Sequence, residues 1–166
     1  MHDAIFWLCS RDRTQYRWGE IMDDEYFMRL AIAESKKGDW PYGAVLVKEG
    51  AVIATAFNTA NRDRDTTAHA EVNVIRKALK LMPKLSLQGC TLYSSSESCP
   101  MCTSAEIWSG VSRVVYGASI QQLVEIGQPQ IIIASATIIN AGFVKIDLQG
   151  GVLAAEALEV VKNHST

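Results

Sequence analysis

Thr67-Ala68-His69-Ala70-Glu71 and Ser98-Cys99-Pro100-Met101-Cys102 are the two stretches on which the reading of this chain turns. Together they supply an imidazole, two thiols and a carboxylate, and each stands where a helix is predicted to start. A structural zinc site closes its tetrahedron with four protein ligands, whereas a catalytic site holds the metal with three and keeps one position open. His69, Cys99 and Cys102 make a set of three, and Glu71 is a carboxylate left over to handle protons. On thiolate and imidazole ligands a zinc ion lowers the pKa of water towards neutrality.

The spacing places these groups. Cys99 and Cys102 are three apart, so on a helix they share one face. Pro100 suits the first helical position, where its missing N–H has no intrahelical partner to lose. Thiols at that end lie in the positive field of the helix dipole, which favours thiolates. On the other element, residues 68–81 read as a helix with Val72, Ile75 and Leu79 on its inner face. His69 and Glu71 are two apart and would diverge in mid-helix. They converge on one metal only if the helix begins here, with His69 in its first turn.

These residues resemble the zinc-dependent cytidine and guanine deaminase superfamily, whose signature is H-x-E followed by P-C-x-x-C, with the Glu as general acid and base. The resemblance extends from roughly residue 23 to roughly residue 162. Pro41-Tyr42-Gly43-Ala44-Val45-Leu46-Val47 is similar to the family's Pro-x-Gly-Ala-Val strand, and Phe57-Asn58 to its Asn after the second strand. The resemblance implies zinc on His69, Cys99 and Cys102, with Glu71 as the catalytic proton shuttle. It also implies a substrate hydrogen bond from Asn58 and help from backbone N–H groups near Ala70. Tyr42 and Trp108, which look more like guanine than tRNA adenosine deaminases, are candidate aromatic faces for a planar base. The implied fold is a three-layer α/β/α domain on a mixed sheet of about five strands. Paired subunits are implied too, with Ile107 and Trp108 as candidate contacts in a homodimer.

Two positions depart from the family pattern. Ser98 stands where proline precedes the first cysteine, and Thr66 occupies a position that is often proline. Both changes bear on loop stiffness and activity more than on metal binding. The Ser98 hydroxyl has the option of donating to a thiolate, although neutral drift is the simpler explanation. Glu106 is unexplained by sequence: it faces solvent, substrate or a partner.

The chemistry these groups suit is hydrolytic deamination of an amidine-type ring carbon. Glu71 takes a proton from the attacking water, passes it to the neighbouring ring nitrogen and helps ammonia leave. Guanine is the favoured substrate. The Phe-Asp-Asp segment common near the C-terminus of guanine deaminases is missing, and Gly127-Gln128-Pro129-Gln130 stands there instead, so a different pocket wall is expected and cytosine, a nucleoside or an aminotriazine stays open. Editing of tRNA requires several cations on one face, and this chain has only scattered groups: Lys36-Lys37, Arg62 with Arg64, and Arg76-Lys77 with Lys80. Its net charge of −2 also argues against tRNA. Outside deamination, Cys99 and Cys102 alone match a thiol redox motif, which has no use for His69 or Glu71. A non-catalytic zinc module would tolerate loss of Glu71.

At 166 residues the chain fits one domain able to bury a core. Residues 1–21 match nothing in the family pattern and are expected to be an extension, or a misassigned start, before a domain spanning 22–166. Four cysteines, two of them in the motif, do not make a secreted disulfide framework. Thiolate-held zinc suits a reducing cytoplasm. The apolar run at residues 131–139 is about half the length a membrane span needs, so no membrane is expected.

A coarse pass predicts helices at 24–37, 68–81, 100–109 and 152–162. Strands are predicted at 42–48, 52–57, 91–94, 112–116 and 143–148, the first two joined at Glu49-Gly50 as a hairpin. Alternation of strands and helices implies a layered α/β domain.

Overall fold

A computed structural model describes residues 23–164. The expected extension at residues 1–21 lies outside the described residues. Asp23 caps the first helix, accepting a hydrogen bond from Tyr26 N at 3.0 Å, and α1 runs Asp24–Ser35 with Asp24 and Glu25 in its first turn. These acids complement the positive end of the helix dipole. Strands β1 (Gly43–Lys48) and β2 (Ala51–Phe57) pair antiparallel. Glu49 and Gly50 both take positive φ, 51° and 76°, as a two-residue hairpin turn that follows the strand twist requires. A short helix α2 (Ala60–Asp63) precedes α3 (Ala70–Leu79). Then come β3 (Cys90–Ser96), α4 (Pro100–Ser109), β4 (Arg113–Ala118), α5 (Ile120–Glu125), α6 (Ser135–Ala141), β5 (Asp147–Gln149) and α7 (Ala154–Lys162).

The strands form one five-stranded sheet in the order β2-β1-β3-β4-β5. β1 pairs antiparallel with both β2 and β3, while β3–β4 and β4–β5 are parallel, so the sheet is mixed. Alternate side chains go to opposite faces. Val45, Val47, Tyr93 and Val115 pack with Phe27, Met28, Ile32, Leu123 and Val161, on the side covered by α1, α5 and α7. Leu46, Leu92 and Val114 pack with Val74, Ile75, Ala78, Ile107 and Ile139, on the side covered by α3, α4 and α6. The result is the three-layer α/β/α arrangement with a mixed five-stranded sheet. Gly43 explains the glycine of the Pro-Tyr-Gly-Ala-Val run, because a Cβ there would overlap the α1 backbone at Ala31 and Ser35.

Several boundaries differ from expectation. The helix read as 68–81 begins two residues later, because His69 stays extended to deliver the imidazole. The strand expected at 143–148 shrinks to Asp147–Gln149, since only those residues reach the edge of β4. Helices α2, α5 and α6 lie in stretches not read as helical. α5 is closed by a capping box in which Ser119 Oγ accepts from Gln122 N and the Gln122 side chain accepts from Ser119 N. The isoleucine run is split: Ile131, Ile132 and Ile133 are exposed loop, while Ile139 enters the core from α6. Among the described residues no helix is long and apolar enough to cross a membrane.

Candidate metal centre and pocket

Two helix starts meet at the end of β3. His69 caps α3 in extended backbone, with φ −70° and ψ 156°. That places its ring ahead of the helix, so the spacing of two to Glu71 no longer separates the side chains. Cys99 caps α4 with φ −64° and ψ 166°, Pro100 takes the first helical position, and Cys102 follows in the first turn. His69 Nδ1 lies 3.8 Å from Cys99 Sγ and 3.5 Å from Cys102 Sγ, and the two sulfurs are 3.5 Å apart.

These separations are a test of whether zinc fits. Tetrahedral zinc with its usual bonds to sulfur and nitrogen puts neighbouring ligand atoms about 3.6–3.8 Å apart. The three donors form a triangle of that size, so His69, Cys99 and Cys102 could hold one metal ion. Hydrogen bonding and burial act differently on the three groups. Hydrogen bonding to Cys102, and secondarily to His69, holds the Cys99 thiol down at about 4. Cys102 is pushed well up by its bond to Cys99 and by burial. His69 is raised, first by its bond to Cys99 and then by nearby negative charge, against the effect of burial.

Glu71 lies in the first turn of α3 and is buried. Ser94 Oγ, on β3, donates to its Oε1 at 2.9 Å. Burial, and then the charge of Cys99, raise the Glu71 pKa, opposed by His69 and Ser94. A carboxyl raised towards neutrality both accepts and releases a proton readily.

A cavity of about 190 Å³ opens over these groups, lined by His69, Glu71 and Cys99 and walled by other residues from distant parts of the chain. Tyr42 and Asn58 line it as expected. Asn58 Oδ1 accepts from Ala60 N at 3.0 Å; its Nδ2 has no acceptor among the described residues. Tyr42 OH receives a hydrogen bond from Gln130 Nε2 at 3.2 Å. Trp40 and Glu97 also line the cavity and had not been singled out in the sequence, whereas Gln128 and Gln130 line it from the stretch that stands in place of Phe-Asp-Asp. The Glu97 carboxylate is engaged elsewhere: it accepts from Ile120 N, Ser135 N and Ser135 Oγ, each at 2.9 Å, anchoring the starts of α5 and α6. One signal was available for part of this wall. Ser94-Ser95-Ser96 is a polar run at the end of a buried strand, and such groups are buried only to make hydrogen bonds.

Other expected site residues fall elsewhere. Trp108 is 78% exposed and packs edge-on against Phe143, with ring centroids 4.8 Å apart, so it offers no face to the pocket. Ile107 is core rather than surface. Ala70 is fully buried at the start of α3, where first-turn amides lack helical partners. Glu106 faces neither solvent nor the pocket. It is fully buried, and Ser98 Oγ donates to its Oε1 at 2.6 Å, so the Ser98 hydroxyl is engaged with a carboxyl and not with a thiolate. Burial pushes the Glu106 carboxyl up to about 8.

Comparison with known proteins adds four findings. Residues 21–118 match the family model for the cytidine and deoxycytidylate deaminase zinc-binding region. A guanine deaminase of Bacillus subtilis (strain 168) is 40% identical over 111 residues, covering 64% of this chain and 71% of that protein. A tRNA-specific adenosine deaminase of the same organism is 46% identical over 102 residues, covering 59% and 63%. A solved structure from work on A-to-I editing by tRNA:A34 deaminases superposes with a TM-score of 0.70 at 31% identity, covering 81% of this chain and 98% of that one.

Proposed function

This chain belongs to the cytidine and deoxycytidylate deaminase zinc-binding family, whose members are zinc-dependent aminohydrolases, and from that premise we propose that it deaminates a free nucleobase, guanine first. His69, Cys99 and Cys102 hold the zinc in this proposal. Zinc there supplies Lewis acidity and brings the pKa of water towards neutrality. Glu71, held by Ser94, takes the proton of the attacking water and delivers it to the ring nitrogen beside the attacked carbon. As the C–O bond forms, Glu71 moves the second proton to the amino group, the C–N bond breaks, and ammonia leaves a ring carbonyl. Asn58 Nδ2 donates to a substrate carbonyl or ring nitrogen, and the rings of Tyr42 and Trp40 flank the base.

The observation that carries the free-base reading is the wall formed by residues 128–130. Gln128, Pro129 and Gln130 line the cavity, and Gln130 is tied to Tyr42 from the opposite side of the chain. A wall of this kind suits a compact planar ligand, and its amides supply both donors and acceptors. Of the seven cations noted in the sequence, three are ion-paired: Arg62 with Asp39 at 2.7 Å, Arg76 with Asp65 at 3.4 Å and Lys37 with Glu34 at 2.6 Å.

A tRNA adenosine is the second reading. Identity to tRNA-specific deaminases is as high as to guanine deaminase, so the expectation against tRNA loses its footing in sequence. Ammonia release from zinc-loaded protein, measured across guanine, cytosine, adenine, their nucleosides and aminotriazines, tests the proposal, with Glu71→Ala as control. Release from guanine supports it. Silence on free bases with inosine formed in tRNA would replace it by the second reading.

The same reading includes a homodimer in the cytoplasm, and a domain from residue 22 onwards that folds without residues 1–21. Trp108 and Phe143, 78% and 68% exposed, supply apolar surface for a second subunit to cover. Sedimentation of the whole chain, and zinc retention in a chain starting at Met22, check these points.

A further inference from the structure

Glu106 is an expensive residue to bury. Its side chain is fully enclosed, Oε1 has one partner, and Oε2 has none among the described residues. A buried polar atom left without a partner destabilises a fold, so a compensating use is to be sought in what its neighbour does. Glu106 lies four residues after Cys102 on α4, hence on the same helix face. Helical side chains lean back towards the N-terminus, and here that brings the carboxyl to Ser98, the residue before Cys99.

Ser98 is held at two points. Its Oγ donates to Glu106 Oε1 at 2.6 Å, and its carbonyl accepts from Thr103 Oγ1 at 3.1 Å. Both partners are on α4, the helix that carries Cys102 and is capped by Cys99. Proline, the family residue at this place, would fix φ of the turn and remove alternative backbone states. Serine leaves φ open unless something else holds it.

We propose that Ser98 and Glu106 are positioning residues for the metal site: their buried hydrogen bond holds the turn that sets Cys99 Sγ against Cys102 Sγ and His69 Nδ1, in place of a proline. Neither residue touches metal or substrate. The proposal rests on the reading that His69, Cys99 and Cys102 bind the metal. Outer residues that orient metal ligands typically change metal affinity by about 10–100-fold when removed.

The test titrates the full-length metal-free chain with Co²⁺ and follows the ligand-field and sulfur-to-cobalt absorption bands. Ser98→Ala and Glu106→Leu should each weaken cobalt binding about tenfold and shift the bands. Glu106→Gln should stay close to wild type, because its amide oxygen still accepts from Ser98. Ser98→Pro combined with Glu106→Leu should recover most of the affinity and the wild-type bands. Unchanged affinity and bands in Ser98→Ala would overturn the proposal, even if Glu106→Leu failed to fold. So would a Ser98→Pro/Glu106→Leu protein that folds but binds cobalt no better than Glu106→Leu. His69→Ala tests the underlying site separately: wild-type cobalt binding in that variant would remove the metal assignment itself.

Discussion

Ser94 Oγ and Glu71 Oε1 are 2.9 Å apart, joining the end of a central strand to the first turn of the helix that follows the imidazole. The bond holds one carboxylate oxygen of a residue that lines the cavity. Burial raises the carboxyl while the serine bond opposes that rise. Ser94 thus both orients Glu71 and opposes the rise that burial causes.

Glu71→Ala should lower kcat by about 10²–10⁴ or more, the range for a general acid–base, with zinc still bound at one ion per chain. Ser94→Ala should lower kcat about tenfold with KM little changed, because it loosens the carboxylate without touching the base. Steady-state kinetics with metal analysis check both. Near-normal turnover in Glu71→Ala would end the proposed proton path.

Removing the metal with a chelator should abolish turnover and also lower thermal stability, since a ligand that binds only the folded state stabilises it as the logarithm of its free concentration over Kd. Cys102→Ser should bind zinc far more weakly than wild type, because a buried hydroxyl replaces a thiolate. A differential scan of metal-free and zinc-loaded protein measures the effect. A melting temperature indifferent to zinc would contradict a site built into two helix starts.

Gln130→Ala should raise KM several-fold for a free base with less effect on kcat, by releasing the wall from Tyr42. Tyr42→Phe, which keeps the ring and removes the hydroxyl, should reproduce part of that change. If both variants gain activity on tRNA, the wall is what excludes it. Unchanged kinetics in both would show that residues 128–130 do not select the substrate.

Arg113 ties the first helix to the sheet: Nη1 and Nη2 donate to the two carboxylate oxygens of Asp24, the second at 2.8 Å. The bond from Arg113 is the largest cause holding the Asp24 carboxyl below its ordinary value, and Tyr93 adds a smaller one. A carboxyl depressed in the folded state contributes stability above its unfolded pKa of about 3.9 and loses it as pH falls through the folded value. Asp24→Asn should therefore cost roughly 1–3 kcal/mol at neutral pH, the range for hydrogen bonds to a charged group, and much less near pH 2. Urea melts at the two pH values read this. An equal loss at both would show that the link is not electrostatic.

Much of the layout was legible in local pattern. The acids of α1 and the left-handed pair Glu49-Gly50 announce their elements through backbone and dipole preferences that act within a few residues. Pro100 does the same for α4. Element ends were less legible. His69 sits outside α3 because the imidazole has to reach Cys102, 33 residues away, and no local preference records that. The strand expected at 143–148 failed for a similar reason: alternation marks a strand, but only a neighbouring edge decides how many residues pair.

The same division holds at the site. Residue types and their spacing singled out the three candidate metal ligands, the carboxylate proposed to carry protons and the α/β class, because zinc chemistry and helix starts require particular side chains at particular intervals. Tertiary structure alone decided that Trp108 faces outward, that Ser94 holds Glu71, that Gln130 closes the pocket on Tyr42, and that Ser98 is bonded to a buried Glu106. Of these contacts, that of Gln130 with Tyr42 bridges 88 positions. A sequence encodes such contacts only through the packing of the whole sheet and its two helical layers, and that packing has no signature short enough to read along the chain.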